Sequence, residues 1–125
     1  MVSRIHSVTV PVADQDAALD FYVNKLGWEK AMDMPMGPEG RWLTVVPPGA
    51  ATQIALAPLG WYTPETMPRK DTGISLVSKD IEGDYATMVE RGVKFKGPLE
   101  VMPWGDKATH FYDIDGNEFF FCADS

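Results

Sequence analysis

Lys107-Ala-Thr-His-Phe-Tyr-Asp-Ile-Asp-Gly-Asn-Glu-Phe-Phe-Phe-Cys122 reads as two strands joined by a tight polar turn. Thr, His, Phe and Tyr precede the turn and three consecutive Phe follow it, all residues that suit a pleated, half-buried surface. Between them, Asp113-Ile-Asp-Gly-Asn117 supplies the Asp, Gly and Asn that tolerate turn dihedrals. A turn centred on Asp115 sets His110 opposite Phe120 and Tyr112 opposite Glu118. Side chains alternate along a strand, so Ala108, His110, Tyr112, Glu118, Phe120 and Cys122 then share one face, and Thr109, Phe111, Asp113, Phe119 and Phe121 the other. Both faces are largely apolar and both need cover, one from helices and the other from more sheet or from a ligand.

Working outward, the same strand and turn signals recur. Gly73-Ile-Ser-Leu-Val-Ser78 is a strand and Asp80 an N-cap; Ile81, Tyr85, Met88 and Val89 form the apolar stripe of a helix that closes at Gly92. Val93-Lys-Phe-Lys is the next strand, and residues 98–105 lead into the hairpin. The first half runs in parallel. Ile5 to Val12 is a strand, Asp14 an N-cap, and Leu19, Tyr22, Val23 and Leu26 a buried stripe ended by Gly27 at a left-handed C-cap. Trp28-Glu-Lys-Ala-Met32 is a strand, residues 34–40 a loop, and Arg41-Trp-Leu-Thr-Val-Val46 and Thr52-Gln-Ile-Ala-Leu56 two strands joined through Pro47-Pro48-Gly49. Each half is β-α-β-β-β. Ser7 precedes Asp14 by seven residues and Gly73 precedes Asp80 by seven, as a duplicated unit requires. The expectation is an α+β domain over residues 1–125, with module 1 at about 1–57, a linker at 58–71 and module 2 at about 72–125.

Composition limits what such a fold does. With 125 residues, 45% hydrophobic and 23% charged, the chain is long enough for one domain with a sizeable core. No apolar run approaches the ~20 residues that span a bilayer. A formal net charge of -7 with scattered Lys and Arg argues against nucleic acid or an anionic membrane as partner. The N-terminus has no signal-peptide pattern and Cys122 is the single cysteine, which reads as a cytoplasmic protein without an intrachain disulfide. No Gly-rich phosphate loop and no Ser/His/Asp or Cys/His motif is present.

The chain resembles the vicinal oxygen chelate superfamily, the glyoxalase, bleomycin-resistance and extradiol-dioxygenase group. The resemblance is carried by Val12-Ala-Asp14, by Leu19-Asp-Phe-Tyr22 leading into Leu26-Gly27, and by Phe111-Tyr-Asp-Ile-Asp-Gly-Asn117, where the family usually has Asp-Pro-Asp-Gly and this chain has Ile114. It implies two βαβββ modules whose open mixed sheet curls around a cup, with helices outside. It also implies a homodimer, and in the enzymes of the group a divalent metal held by inward His, Glu or Gln.

At the positions matching those ligands stand Ser7, Gly73, Ala55 and Phe120, Ala55 being the best match within Gln53-Ile-Ala-Leu56. Three of the four have no side-chain donor atom and a neutral hydroxyl is a poor ligand, so no metal and no other cofactor is expected. His6 is one residue out of step with Ser7 and falls on the opposite face of its strand.

The candidate ligand-binding residues are His110, Phe120, Tyr112, Trp42, Trp61, Trp104, Glu118 and Ser7. His110 shares the cup face with Phe120 and is the candidate catalytic residue; its other reading is a buried histidine satisfied by a neighbouring hydroxyl. Glu118 reads first as a solvated carboxylate beside a turn and second as a group at the rim of the cup. Trp42, Trp61 and Trp104 lie in or beside elements that bound the family's cup, where they offer flat apolar area to a planar ligand or simply pack a core. Met32, Met34 and Met36 belong to or flank the first long loop and form an adaptable lid or a loosely packed flap. Three functions stay open: a metal-independent protein sequestering an apolar or aromatic compound, a metal-dependent lyase, isomerase or dioxygenase, and a cofactorless enzyme using His110 as general base.

Overall fold

The structure is a computed structural model that describes residues 1–124, and its chain divides into two compact units, Met1–Pro68 and Arg69–Ser125. The first unit contains β1 (Ser7–Val12), α1 (Gln15–Asp20), β2 (Glu29–Pro35), β3 (Arg41–Val46) and β4 (Gln53–Pro58). Its sheet has the order β1-β4-β3-β2, with β1 parallel to β4 and the other pairs antiparallel. The second unit contains β5 (Asp71–Ser78), α2 (Ile81–Glu90), β6 (Lys94–Phe95), β7 (Glu100–Val101), β8 (Lys107–Tyr112) and β9 (Glu118–Ala123). Its order is β5-β9-β8-β6, with β7 also on β8, and β5 is parallel to β9. The duplication is therefore topological as well as sequential: in each unit the strand before the helix lies parallel beside the last strand.

Asp14 opens α1 as its side chain accepts from the backbone N–H groups of Asp16 and Ala17, which leaves fewer donors unpaired in the first turn. The buried stripe differs from the one the spacing predicts. Ala18, Phe21 and Tyr22 are the buried residues, whereas Leu19, Val23 and Leu26 are half-buried. Ala18, Phe21 and Tyr22 keep an i, i+3, i+4 spacing, and a widened π turn at Phe21–Lys25 then shifts the phase for Val23 and Leu26 before Gly27 ends the helix at φ 75°. Gln15 fastens the helix to the sheet: its amide donates to Arg41 O at 2.7 Å and Leu56 O at 2.8 Å, and its oxygen accepts from Arg41 N. Val10, Val12, Leu43, Val45, Ile54 and Leu56 fill the core on that side.

β2 runs to Pro35, so Met34 lies in a strand opposite Trp42, not in the loop; the backbone of Met36 donates to Gly40 O and closes a shorter turn. A β-bulge between Lys30 and Met32 interrupts the alternation there, which is why the strand pattern is hard to read past Met32.

In the second unit the hairpin has the register read from the sequence: His110 pairs with Phe120 and Tyr112 with Glu118. The core lies on the α2 side, where Phe111, Phe119 and Phe121 are buried and Phe95 bridges them to Tyr85 with ring centroids 4.5 Å apart. Asp113 organises the turn. Its Oδ1 accepts from Asp115 N and Asn117 N, both at 2.9 Å, and its Oδ2 from Asn117 Nδ2 at 2.8 Å, all at a residue 6% exposed. Two expectations for this unit change. Val89 is exposed, and Val93, one turn beyond the helix, takes the buried place. The segment before the hairpin holds β7, too short to carry a period-2 signal.

Candidate functional site

The sheet faces turned away from the helices carry the candidate site residues, and each unit presents a different chemistry. On the second unit, Phe120 lies close to two other rings. Its centroid is 5.1 Å from His110 across the hairpin and 6.5 Å from Trp104, which meets it edge-on. Trp104 is 61% exposed although it belongs to no strand; the turn at residues 103–105 brings it beside β9. Together they form a half-open aromatic row.

A polar group borders that row. Glu118, whose side chain is only 13% exposed, has Oε2 3.8 Å from His110 Nε2 and 3.5 Å from Lys96 Nζ. Lys96 is held there because its backbone N–H donates to His110 O at 2.8 Å. Thus the carboxylate is flanked by two nitrogen groups, in contrast to the solvated turn carboxylate that its sequence position also allowed. Tyr112 pairs with Glu118 and is half-buried. Cys122 lies further along the same face, its thiol donating to Leu76 O at 3.7 Å. Burial first, then the charges of Asp106 and Asp124, push the Cys122 thiol pKa up.

On the first unit the corresponding face carries mainly uncharged side chains, with Glu29 at its edge opposite Val46. Ser7 pairs with Gln53, and Thr44 with Ala55, so Ser7, Gln53, Ala55 and Thr44 share it with Trp42, two residues from Thr44 on β3. Thr44 is fully buried and its hydroxyl donates to Gln53 Oε1 at 2.7 Å. Trp61 sits beyond β4 in a short 3-10 turn, half-buried. The next residue, Tyr62, has a buried hydroxyl without a hydrogen-bond partner, and burial raises its pKa. His6 is exposed ahead of β1 and joins neither face. Gln53, Thr44 and Lys96 were not picked out from sequence; for Gln53 the signal was there, since it is two residues from Ala55 and so on the same side of the strand.

The chain is matched over residues 4–121 by the sequence profile of the Glyoxalase/Bleomycin resistance protein/Dioxygenase superfamily. The chain belongs to that superfamily. It is 38% identical over 119 residues to the uncharacterized protein YetH of Bacillus subtilis (strain 168), covering 95% of this chain and 97% of that one. A crystal structure of a superfamily member from Sphaerobacter thermophilus DSM 20745 is similar at 51% identity and a TM-score of 0.92, covering 98% of both chains. The structure of TnmS3, an antibiotic binding protein from Streptomyces sp. CB03234, is similar at 37% identity and a TM-score of 0.84, covering 99% of this chain and 98% of that one.

Enzymes of the superfamily use a divalent metal, and the residues here do not fit one. Ser7 and Ala55 on the first unit offer one neutral hydroxyl, and Phe120 on the second puts a ring where a carboxylate would be required. Gly73 has a further reason to be glycine: it lies in a bulge between Asp71 and Ser75 at φ 71°, a backbone conformation that side-chain-bearing residues rarely adopt. Among the described residues, no three His, Cys, Asp or Glu side chains come together in a way that could hold a metal ion.

Proposed function

We propose that this superfamily member binds a small apolar or aromatic compound without a metal and sequesters it. The observation that carries this reading is Phe120: at the place of a metal-binding carboxylate it is half-buried, with the rings of His110 and Trp104 within 6.5 Å of its own. A row of three rings offers flat area for a planar molecule, and a large exposed Trp beside it is what a ligand face provides and a core does not. The likeness to an antibiotic binding protein at 37% identity supports the same reading.

Titration with planar aromatic compounds, read as quenching of tryptophan fluorescence, tests it. Saturable binding at micromolar concentration, unchanged by EDTA and accompanied by no stoichiometric metal in elemental analysis, is the expected result. Binding that EDTA abolishes and added Zn, Ni, Mn or Fe restores would overturn it. We further propose a homodimer, supported by the edge strands that each sheet leaves without a further partner among the described residues, for which light scattering should give twice the 13.8 kDa chain mass, and a cytoplasmic location, supported by the single Cys122.

The cluster of His110, Glu118 and Lys96 favours a second reading, a cofactorless enzyme in which His110 removes a proton and Glu118 stabilises the imidazolium formed. Chemical change of the bound compound, lost in His110→Ala while binding persists, would favour it over sequestration.

A further inference from the structure

Glu118 borders the aromatic row of the second unit, and only one of its two carboxylate oxygens is engaged. Phe120 follows it by two residues on the same face of β9, and Tyr112 is its cross-strand partner. His110 adjoins both ends of the group: its ring centroid is 5.1 Å from that of Phe120, and its Nε2 is 3.8 Å from Glu118 Oε2. All four residues belong to the same unit. Oε2 also lies 3.5 Å from Lys96 Nζ. Oε1 accepts no hydrogen bond among the described residues, yet water still reaches it, although the side chain is only 13% exposed. A flat molecule laid over Phe120 and His110 displaces that water. The bond lost at Oε1 is then restored only by a donor on the molecule itself. Lys96 already balances the charge of Glu118, so a neutral donor suits the open oxygen better than a second cation, and an anion would be repelled.

We infer that Glu118 is a specificity-determining residue whose Oε1 accepts a hydrogen bond from a hydroxyl on the ring of the bound compound, so that the ligand class is phenolic. This rests on the reading of the protein as a binder of small aromatic compounds and names the polar group that such a compound carries. The selection works through the carboxylate's need for a donor. A phenol supplies one, its methyl ether covers the same oxygen without one, and the unsubstituted ring offers no polar group at all. Hydrogen bonds to a charged acceptor are the stronger kind, so the preference is larger than a neutral pair would give.

The test titrates 2-naphthol, 2-methoxynaphthalene and naphthalene into the whole chain, with calorimetry as readout. Wild type should bind 2-naphthol about tenfold or more tightly than 2-methoxynaphthalene, the range of one hydrogen bond to a charged group. It should also prefer 2-naphthol to naphthalene, which a mere lack of room for the methyl group would not produce. Glu118→Gln retains the shape, but its amide oxygen takes the place beside Lys96 and leaves an NH2 group where the open acceptor was. That variant should bind 2-naphthol and 2-methoxynaphthalene equally while keeping wild-type affinity for naphthalene. Glu118→Ala should lose the preference as well, and it serves where the glutamine variant fails to fold by circular dichroism. Equal binding of the three compounds by wild type, or a hydroxyl preference that survives in either folded variant, would overturn the role of Glu118 and leave the binding reading intact. Absence of binding by all three compounds to wild type would overturn both.

Discussion

His110 and Phe120 face each other across the β8/β9 hairpin with ring centroids 5.1 Å apart, on the side of the sheet away from α2. Replacing Phe120 by Glu puts a carboxylate beside that imidazole and near Glu118 on the same face. It should destabilise the fold by about 1–3 kcal/mol in urea denaturation, since a half-buried carboxylate loses hydration, and should bind no metal after dialysis. The His110 ring offers the new carboxylate a polar partner and offsets part of the loss, so Phe120→Glu should cost more in a His110→Ala background. Phe119→Glu, at a residue 0% exposed on the core face, should cost about 3–5 kcal/mol whether or not His110 is present. Coupling of His110 to position 119 in place of 120 would contradict the register.

Asp113 should be the most sensitive residue of the turn. Removing its carboxylate in Asp113→Ala leaves Asn117, itself 0% exposed, without the acceptor for its side-chain and backbone N–H groups. A loss of about 2–4 kcal/mol is expected, from two or more hydrogen bonds to a charged acceptor. Equilibrium unfolding within about 0.5 kcal/mol of wild type, the range of ordinary surface changes, would show that the turn holds without it.

Gly73→Ala separates two explanations of that glycine. An added Cβ would meet nothing within 4 Å, so space is not the constraint; the φ of 71° is. The variant should lose about 1 kcal/mol, the cost of a left-handed residue with a side chain, with ligand binding unchanged. Stability equal to wild type would remove the conformational reason and leave only a lost ligand position.

Much of this was legible because the signals are local and regular. The Asp113 to Asn117 turn sits between residues of strict alternation, so the facing of His110 and Phe120 follows from counting. Asp14 and Asp80 each cap a helix with a carboxylate that accepts from the backbone N–H three residues on, which is why the repeat could be read from the spacing of these caps. What escaped has equally physical causes. The π turn at Phe21–Lys25 and the bulge after Lys30 each shift the phase of a pattern that assumes ideal periods. The Thr44–Gln53 bond joins residues on neighbouring antiparallel strands with no charge or motif to mark them, and the approach of Lys96 to Glu118 depends on how β6 pairs with β8.

Cys122 should react slowly with thiol reagents. The thiolate is the reactive form, and its pKa is raised above the ordinary 9.0, first by burial and then by Asp106 and Asp124. Alkylation by iodoacetamide at pH 8 should be slower than for the urea-unfolded chain, and the rate should still be rising above pH 9. The folded state holds the proton more tightly than the unfolded one. The thiol's contribution to stability is therefore complete below the unfolded pKa and fades as pH rises through the folded value. Equal alkylation rates for folded and unfolded protein would contradict this.

Trp104 distinguishes a residue kept for a ligand from one kept for the fold. At 61% exposure it buries little area, and its ring contact with Phe120, edge-on at 6.5 Å, is at the long end of such pairs. Trp104→Ala should therefore change unfolding free energy by no more than about 0.5–1 kcal/mol, within the usual span for surface substitutions and weak aromatic pairs. If the ring is a wall of the binding face, the same variant should weaken binding of a planar aromatic probe by about tenfold or more, as loss of a stacking aromatic does at other ligand sites. Trp104→Phe retains a ring and should recover part of that affinity. The comparison is internal, since stability and binding are measured on one protein. Wild-type affinity in Trp104→Ala, or a loss of stability as large as the loss of binding, would remove Trp104 from the site and leave His110 and Phe120 as the aromatic face.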